Sequence, residues 1–167
     1  DIWEASLLYS QVDLDFKQDI LGHEARLRNA KVSFYAGDFL WAKAQLDVLK
    51  ASTSKLIAND ALDLSLLITD NLGADTVNGP LNLFAKAQLF TARHQYDSCL
   101  AVLDTLVARF PLSNLGDDVL YERFRIAQAR HRYSEAAAFL GKVLELYPND
   151  ILVDNAIAHS PPAGLVR

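Results

Sequence analysis

Cysteine and methionine are the scarcest features of this chain: one cysteine and no methionine in 167 residues. A single cysteine closes no internal disulfide, which excludes the cross-linked scaffold of small secreted domains. Seven glycines and five prolines are too few for a collagen-like or low-complexity chain. Cations are in deficit, 16 basic against 21 acidic residues for a net charge of −5. Nonspecific nucleic-acid binding needs a concentrated basic surface to displace counterions, so that class is disfavoured. No run approaches the roughly 18–20 apolar residues of a membrane-spanning helix, and no direct membrane insertion is expected. Gly73 and Gly79 flank a loop, but the phosphate-loop lysine is missing. No Ser, Cys or Thr stands in a nucleophile elbow, so catalysis and a cofactor are not expected. What is present is hydrophobic content of 51% with 22% charged residues, enough for a folded core.

That content is ordered by a repeat. YDSCLAVLDTLVARFP runs from Tyr96 to Pro111, and YSEAAAFLGKVLELYP runs from Tyr133 to Pro148, thirty-seven residues later. The tyrosine, a small residue (Cys99, Ala136), two aliphatics (Leu103 and Leu106, Leu140 and Val143), an aromatic (Phe110, Tyr147) and the proline recur in step. Phe39, Ala42, Leu46 and Leu49 fill the same slots, as do Ile2, Ala5, Tyr9, Val12 and Phe16. In the same register Leu21-Gly22 falls on Leu115-Gly116. Self-similarity at a period of about 20–50 residues signals stacked repeat units.

The spacing of apolar residues predicts eight helices and no strand: 2–16, 23–35, 39–53, a fourth from Asn59 or Asp60 to Asn71, a fifth from between Thr76 and Pro80 to Arg93, then 96–110, 117–130 and 133–147. Two-residue links (Gly37-Asp38, His94-Gln95, His131-Arg132) force consecutive helices into antiparallel pairs. The fold expected is therefore an all-α, antiparallel helix-pair solenoid. Helices four and five both read as first members of a pair, which places an irregular joint near residues 71–79. The repeat domain is expected to span 1–158, as blocks 1–72 and 76–158, with 159–167 a tail. Asp150–Ala158 starts a further helix that Pro161 and Pro162 should stop. The missing start methionine and the half-repeats at both ends lead to the expectation of a fragment from a longer array.

Gly37-Asp38-Phe39, Tyr133-Ser134-Glu135-Ala136 and the closing prolines Pro111 and Pro148 resemble tetratricopeptide repeats. Phe110-Pro111 followed by Asp117-Asp118, and Tyr147-Pro148 followed by Asp154-Asn155, look like the longer repeats of bacterial cell-envelope proteins of this family. The resemblance implies a noncatalytic scaffold that binds a protein or peptide on a concave face. It equally allows an assembly or regulatory segment of a larger envelope protein or enzyme complex, able to self-associate through its repeat ends. It implies the cell envelope or periplasm, with the cytoplasm left open.

By register, the first helices present Glu24, Arg28, Lys31 and Tyr35, then Phe84 and Gln88, then Tyr121, Arg125 and Gln128. These nine are the candidate partner-binding face, and Arg28, Lys31 and Arg125 hint at an acidic partner. They lack the paired Lys/Asn pattern of the family's carboxylate clamp, so that activity is not expected. Other chemistry falls to register. His94 and His131 occupy the turn slot that Gly37 fills, about two helix layers or roughly 20 Å apart, which excludes a shared metal with bonds of about 2.0–2.1 Å. Cys99 stands where Ala42 and Ala136 stand, as a small buried thiol. Asp13–Glu24 echoes a calcium loop, yet the turn glycine is replaced by Gln18 and Lys17 puts a cation among the ligands. Tyr96, Phe110, Tyr133 and Tyr147 recur at helix ends and are expected in the packing between helices.

Overall fold

Hydrophobic periodicity is realised as helix throughout the part of the chain that the computed structural model describes, residues 1–17, 19–74 and 79–147. The elements are α1 (Ile2–Asp15), α2 (Ile20–Tyr35), α3 (Phe39–Leu49), α4 (Lys55–Asn71), a 3-10 turn (Leu72–Ala74), α5 (Pro80–Ala92), α6 (Tyr96–Arg109), α7 (Gly116–Ala129) and α8 (Tyr133–Leu146). No strand occurs among the described residues. Among the described residues the expected all-α architecture of eight helices is present.

Capping decides where the boundaries depart from the expected ones. α2 starts earlier than residue 23 because the Asp19 carboxylate accepts from the Leu21 amide at 3.3 Å. α4 starts at Lys55, ahead of Asn59, because the Ser54 hydroxyl accepts from the Ile57 amide. α3 stops at Leu49, short of Thr53, where the Ser52 amide turns back onto the Leu49 carbonyl at 2.9 Å. The joint expected at 71–79 opens with the 3-10 turn; its remainder, and the helix expected from Asp150, lie outside the described residues.

The turns follow from backbone conformation. Gly37 has φ +82°, the left-handed region that costs glycine nothing. His94 and His131 take the same conformation at φ 57° and 59°, as their shared slot requires. Each histidine also places Nδ1 against the hydroxyl of the tyrosine two residues on, Tyr96 at 2.9 Å and Tyr133 at 3.0 Å.

Two compact units emerge, Asp1–Leu89 and Phe90–Arg167, divided within α5. In the first, α1 packs on α2, α2 on α3 and α3 on α4, and α4 also reaches α2. The repeat slots point inward: Phe39, Ala42, Leu46 and Leu49 are buried, meeting a core that includes Ala30, Phe34, Ala61 and Ile68. The rings of Phe34 and Phe39 lie 5.5 Å apart across the α2–α3 turn. Gly22 is required where α2 passes the end of α1, since a Cβ there would fall on the Phe16 carbonyl. The start of α5 belongs to this unit, and a Cβ at Gly37 would lie 3.0 Å from the Asn82 side-chain oxygen.

Polar pairs weld these helices at fixed points. Asn29 accepts from Ser6 (2.7 Å) and donates to Ser10 (3.0 Å), and Arg26 holds Asp13 at 2.9–3.0 Å. Gln45 donates to Ser33 at 3.0 Å between α3 and α2. Asp47 is the densest junction: Lys43 and Lys50 approach at 2.7 and 2.6 Å, and Ser65 of α4 donates to it at 3.1 Å. Lys43 first, then Lys50, hold its carboxyl down at about 2, from an ordinary 3.8.

In the second unit, α7 packs on α8 and on α6. Cys99, Leu103 and Leu106 are buried from α6, Val119, Phe124, Ile126 and Ala127 from α7, and Ala136 and Val143 from α8. Tyr133 departs from the expected packing role. It is exposed at the start of α8, where its hydroxyl meets His131, and its ring meets that histidine edge-on.

Two outcomes follow. Alanine cannot relax in the left-handed region as glycine does. His94→Gly and His131→Gly are each expected to be about 1 kcal/mol more stable than the matching alanine variant, read from urea unfolding midpoints. For Asp47 the folded pKa lies below the unfolded one, so its stabilisation is complete above the unfolded value and is lost as pH falls through about 2. The carboxylate is 42% exposed, so solvent screening reduces the contribution to roughly 0.5–1 kcal/mol. Asp47→Asn should be less stable than wild type by that margin at neutral pH, with the gap closing from about pH 4 down to about pH 1 in acid-titrated unfolding. A gap undiminished at about pH 1 would show that the charge is not its source.

Candidate functional site

Helical spacing brings Glu24, Arg28, Lys31 and Tyr35 onto one stripe of α2, at i, i+4, i+7 and i+11. Tyr121, Arg125 and Gln128 form the matching stripe on α7. Phe84 does not join them. It is 1% exposed and belongs to the core, while Gln88, one turn on, stays half-buried. Removing an aromatic ring of that size from water is worth about 2–3 kcal/mol, which turns this face of α5 inward with Leu81, Ala85 and Ala87.

The three candidate cations already have anionic neighbours. Arg28 reaches Glu24 at 2.5 Å along α2; that carboxylate first, with help from Tyr9, raises the guanidinium further above its ordinary value. Lys31 lies 3.6 Å from Asp60 of α4. Arg125 donates to Glu122 at 3.3 Å, and its side chain is half-exposed. Glu122 itself is 1% exposed, and among the described residues its second oxygen has no hydrogen-bond partner. The expectation of a face with cations waiting for acid is thus weakened by internal pairing. These pairs join residues three or four apart, or different helices, and the repeat register carries no signal for them.

Sequence reasoning missed a cleft in the second unit, of about 300 Å³, bounded by α6, the α6–α7 loop, α7 and α8. Its walls are more apolar than polar, with Val107 and Phe110 from α6 and its end, Leu120 from α7, and Phe139 and Tyr147 from α8 and its end. Two cations stand at it. Arg123 is held at 2.6 Å by Asp104, and Lys142 extends its ammonium over the Phe139 ring at 6.0 Å. The floor is shaped by Gly116, where any Cβ would meet the Tyr147 hydroxyl. Phe110 and Tyr147, read from the sequence as packing residues, are packing residues on one side and cleft wall on the other. The glycine–aromatic pairing was the available signal, because Leu115-Gly116 and Tyr147 each hold a register slot.

The remaining chemistry is quiet. Among the described residues, no three His, Cys, Asp or Glu side chains converge as metal ligands. Asp13 and Asp19, from the calcium-like stretch, are occupied by Arg26 and by the α2 cap. Cys99 is fully buried; Thr91 donates to its sulfur at 3.2 Å, and burial pushes the thiol above its ordinary value. Among the described residues no helix is long and apolar enough to cross a membrane.

A buried, protonated thiol is a poor nucleophile. Cys99 should react with an aromatic disulfide reagent at least about 100-fold more slowly in native protein than in urea, followed by absorbance. Native reaction at the rate of a free thiol would show the α6–α7 packing to be open. No family model matches this chain, and no curated protein matches it in sequence.

Proposed function

We propose that this chain is a noncatalytic protein-interaction scaffold built from tetratricopeptide-like helix pairs, binding a protein or peptide partner. The observation that supports this most directly is the cleft of about 300 Å³ in the second unit. Clefts that bind are mostly apolar, with a few polar groups that fix orientation. Here Phe110, Leu120 and Phe139 offer an apolar seat, and Arg123 and Lys142 offer charge beside it. The partner chemistry that fits is an apolar side chain next to a carboxylate. Tyr121 and Arg125 on α7 extend the same reading to an exposed helix face, with Arg125 anchored at its foot by buried Glu122. A bacterial envelope setting, drawn from the resemblance of the repeats, remains part of the proposal.

Peptides selected from a random library on the intact chain are expected to carry an apolar residue beside Asp or Glu. Combining Phe139→Ala with Lys142→Ala should weaken the selected peptides by about tenfold or more in fluorescence anisotropy, with helicity by circular dichroism kept. Peptides that bind this variant and wild type alike would remove the cleft from the proposal.

A further inference from the structure

Each unit contains the same succession of three helices, and only the second leaves it open. The register that lays Gly22 on Gly116 also lays α1, α2 and α3 on α6, α7 and α8. Polar bonds follow the same correspondence. Asn29 of α2 donates to Ser10 of α1 at 3.0 Å, and at the matching slots Arg123 of α7 meets Asp104 of α6 at 2.6 Å. One turn further the units diverge. In the first, Asp13 and Arg26 meet as a fork at 2.9 and 3.0 Å, the strong geometry for such a pair. In the second, those slots are Val107 and Leu120, and both line the cleft. The third helix changes with them. Gln45, which donates to Ser33, gives way to Phe139, and Val48 to Lys142, again both at the cleft.

Packing changes in step. α1 lies along α2, whereas α6 meets α7 at few points. A Cβ at Gly22 would strike the Phe16 carbonyl at the end of α1, but one at Gly116 would strike the Tyr147 hydroxyl at the end of α8. The middle helix therefore starts against the first helix in one unit and against the third in the other. An ion pair at the joint ties two helices together. Two aliphatic side chains in its place have nothing to pair, and they are stabilised by an apolar group that takes their surface out of water. Arg123 is engaged by Asp104, whereas Lys142 lies over the Phe139 ring at 6.0 Å with no carboxylate partner among the described residues. We propose that Val107 and Leu120 determine the specificity of this cleft, making it a seat for an apolar group whose anionic end meets Lys142. The inference rests on the reading of the cleft as a binding site, and adds which residues open it and what they admit.

The test titrates the full chain with two fluorescent probes: anilinonaphthalene sulfonate, an apolar ring system carrying an anion, and phenylnaphthylamine, the same rings without it. Both are expected to brighten on the wild-type chain. Val107→Asp with Leu120→Arg installs the ion pair of the first unit and leaves net charge unchanged. It should weaken both probes by about tenfold, with the urea unfolding midpoint at or above that of wild type. Val107→Asp alone, at a side chain 46% exposed, should give a similar loss without a demand on the fold. Val107→Leu with Leu120→Val conserves volume and should leave both probes bound. Lys142→Gln should weaken the sulfonate probe several-fold and spare the neutral one. Binding that survives both aspartate variants, a wild-type chain that brightens neither probe, or equal loss of both probes in Lys142→Gln would overturn the proposal. Selected peptides report separately. Peptides that ignore the Asp–Arg variant yet fail on Phe139→Ala with Lys142→Ala keep the scaffold reading and remove this one, and probes that respond as stated while no peptide is selected do the reverse.

Discussion

Close approach of paired helices is the constraint on which the rest of this structure depends. Each second helix keeps one slot small: Ala42 in α3, Cys99 in α6 and Ala136 in α8, all buried. At a slot buried to this degree a methyl or a thiol fits, and cores resist even one added methylene. With that slot closed, the next positions along the same face, Leu46 and Leu49 or Leu103 and Leu106, are carried into the core. The turns complete the geometry. Gly37, His94 and His131 reverse the chain in the left-handed region, and two-residue links leave an antiparallel partner as the nearest surface to bury against.

The same constraint explains why chemistry that looks promising in the sequence dissolves. Cys99 is held as a small apolar filler, with its thiol kept protonated by burial. His94 and His131 spend their rings on Tyr96 and Tyr133. Carboxylates are treated similarly. Asp13 fastens α1 to α2, Asp47 fastens α3 to α4, Asp60 meets Lys31, and Asp97 and Asp104 meet Arg130 and Arg123. Most of these pairs are partly exposed and individually weak. They fix register between helices whose main adhesion is apolar. Apart from these pairs stands the cleft of the second unit, with apolar walls and Arg123 and Lys142 beside them.

How much was legible in advance depended on the range of the interaction that decides each feature. Helix identity and turn position rest on residues three or four apart, and they came through with boundaries displaced only at caps. Asp19 and Ser54 lengthened α2 and α4, because a side chain that accepts an early amide sets the start ahead of the first periodic residue. The nine candidate binding residues fared unevenly. Their stripes on α2 and α7 are where periodicity puts them, but Phe84 went into the core, and Arg28, Lys31 and Arg125 each met a carboxylate that register could not announce. The cleft between α6, α7 and α8 was announced only by the paired register slots of Gly116 and Tyr147, since its volume is made by what three helices leave unfilled.

By itself, then, the sequence determined the local and periodic properties: all-helical structure, paired helices, left-handed turns at Gly37, His94 and His131, and the small slot that Cys99 fills. These follow from backbone sterics and from which residues share a helix face. Only the tertiary structure decided which polar side chains are already paired, that Phe84 goes into the core, and where packing leaves a cleft. Those outcomes depend on distances between residues far apart in the chain. A side chain's partners there are set by how helices rotate and slide against one another as they bury their apolar faces.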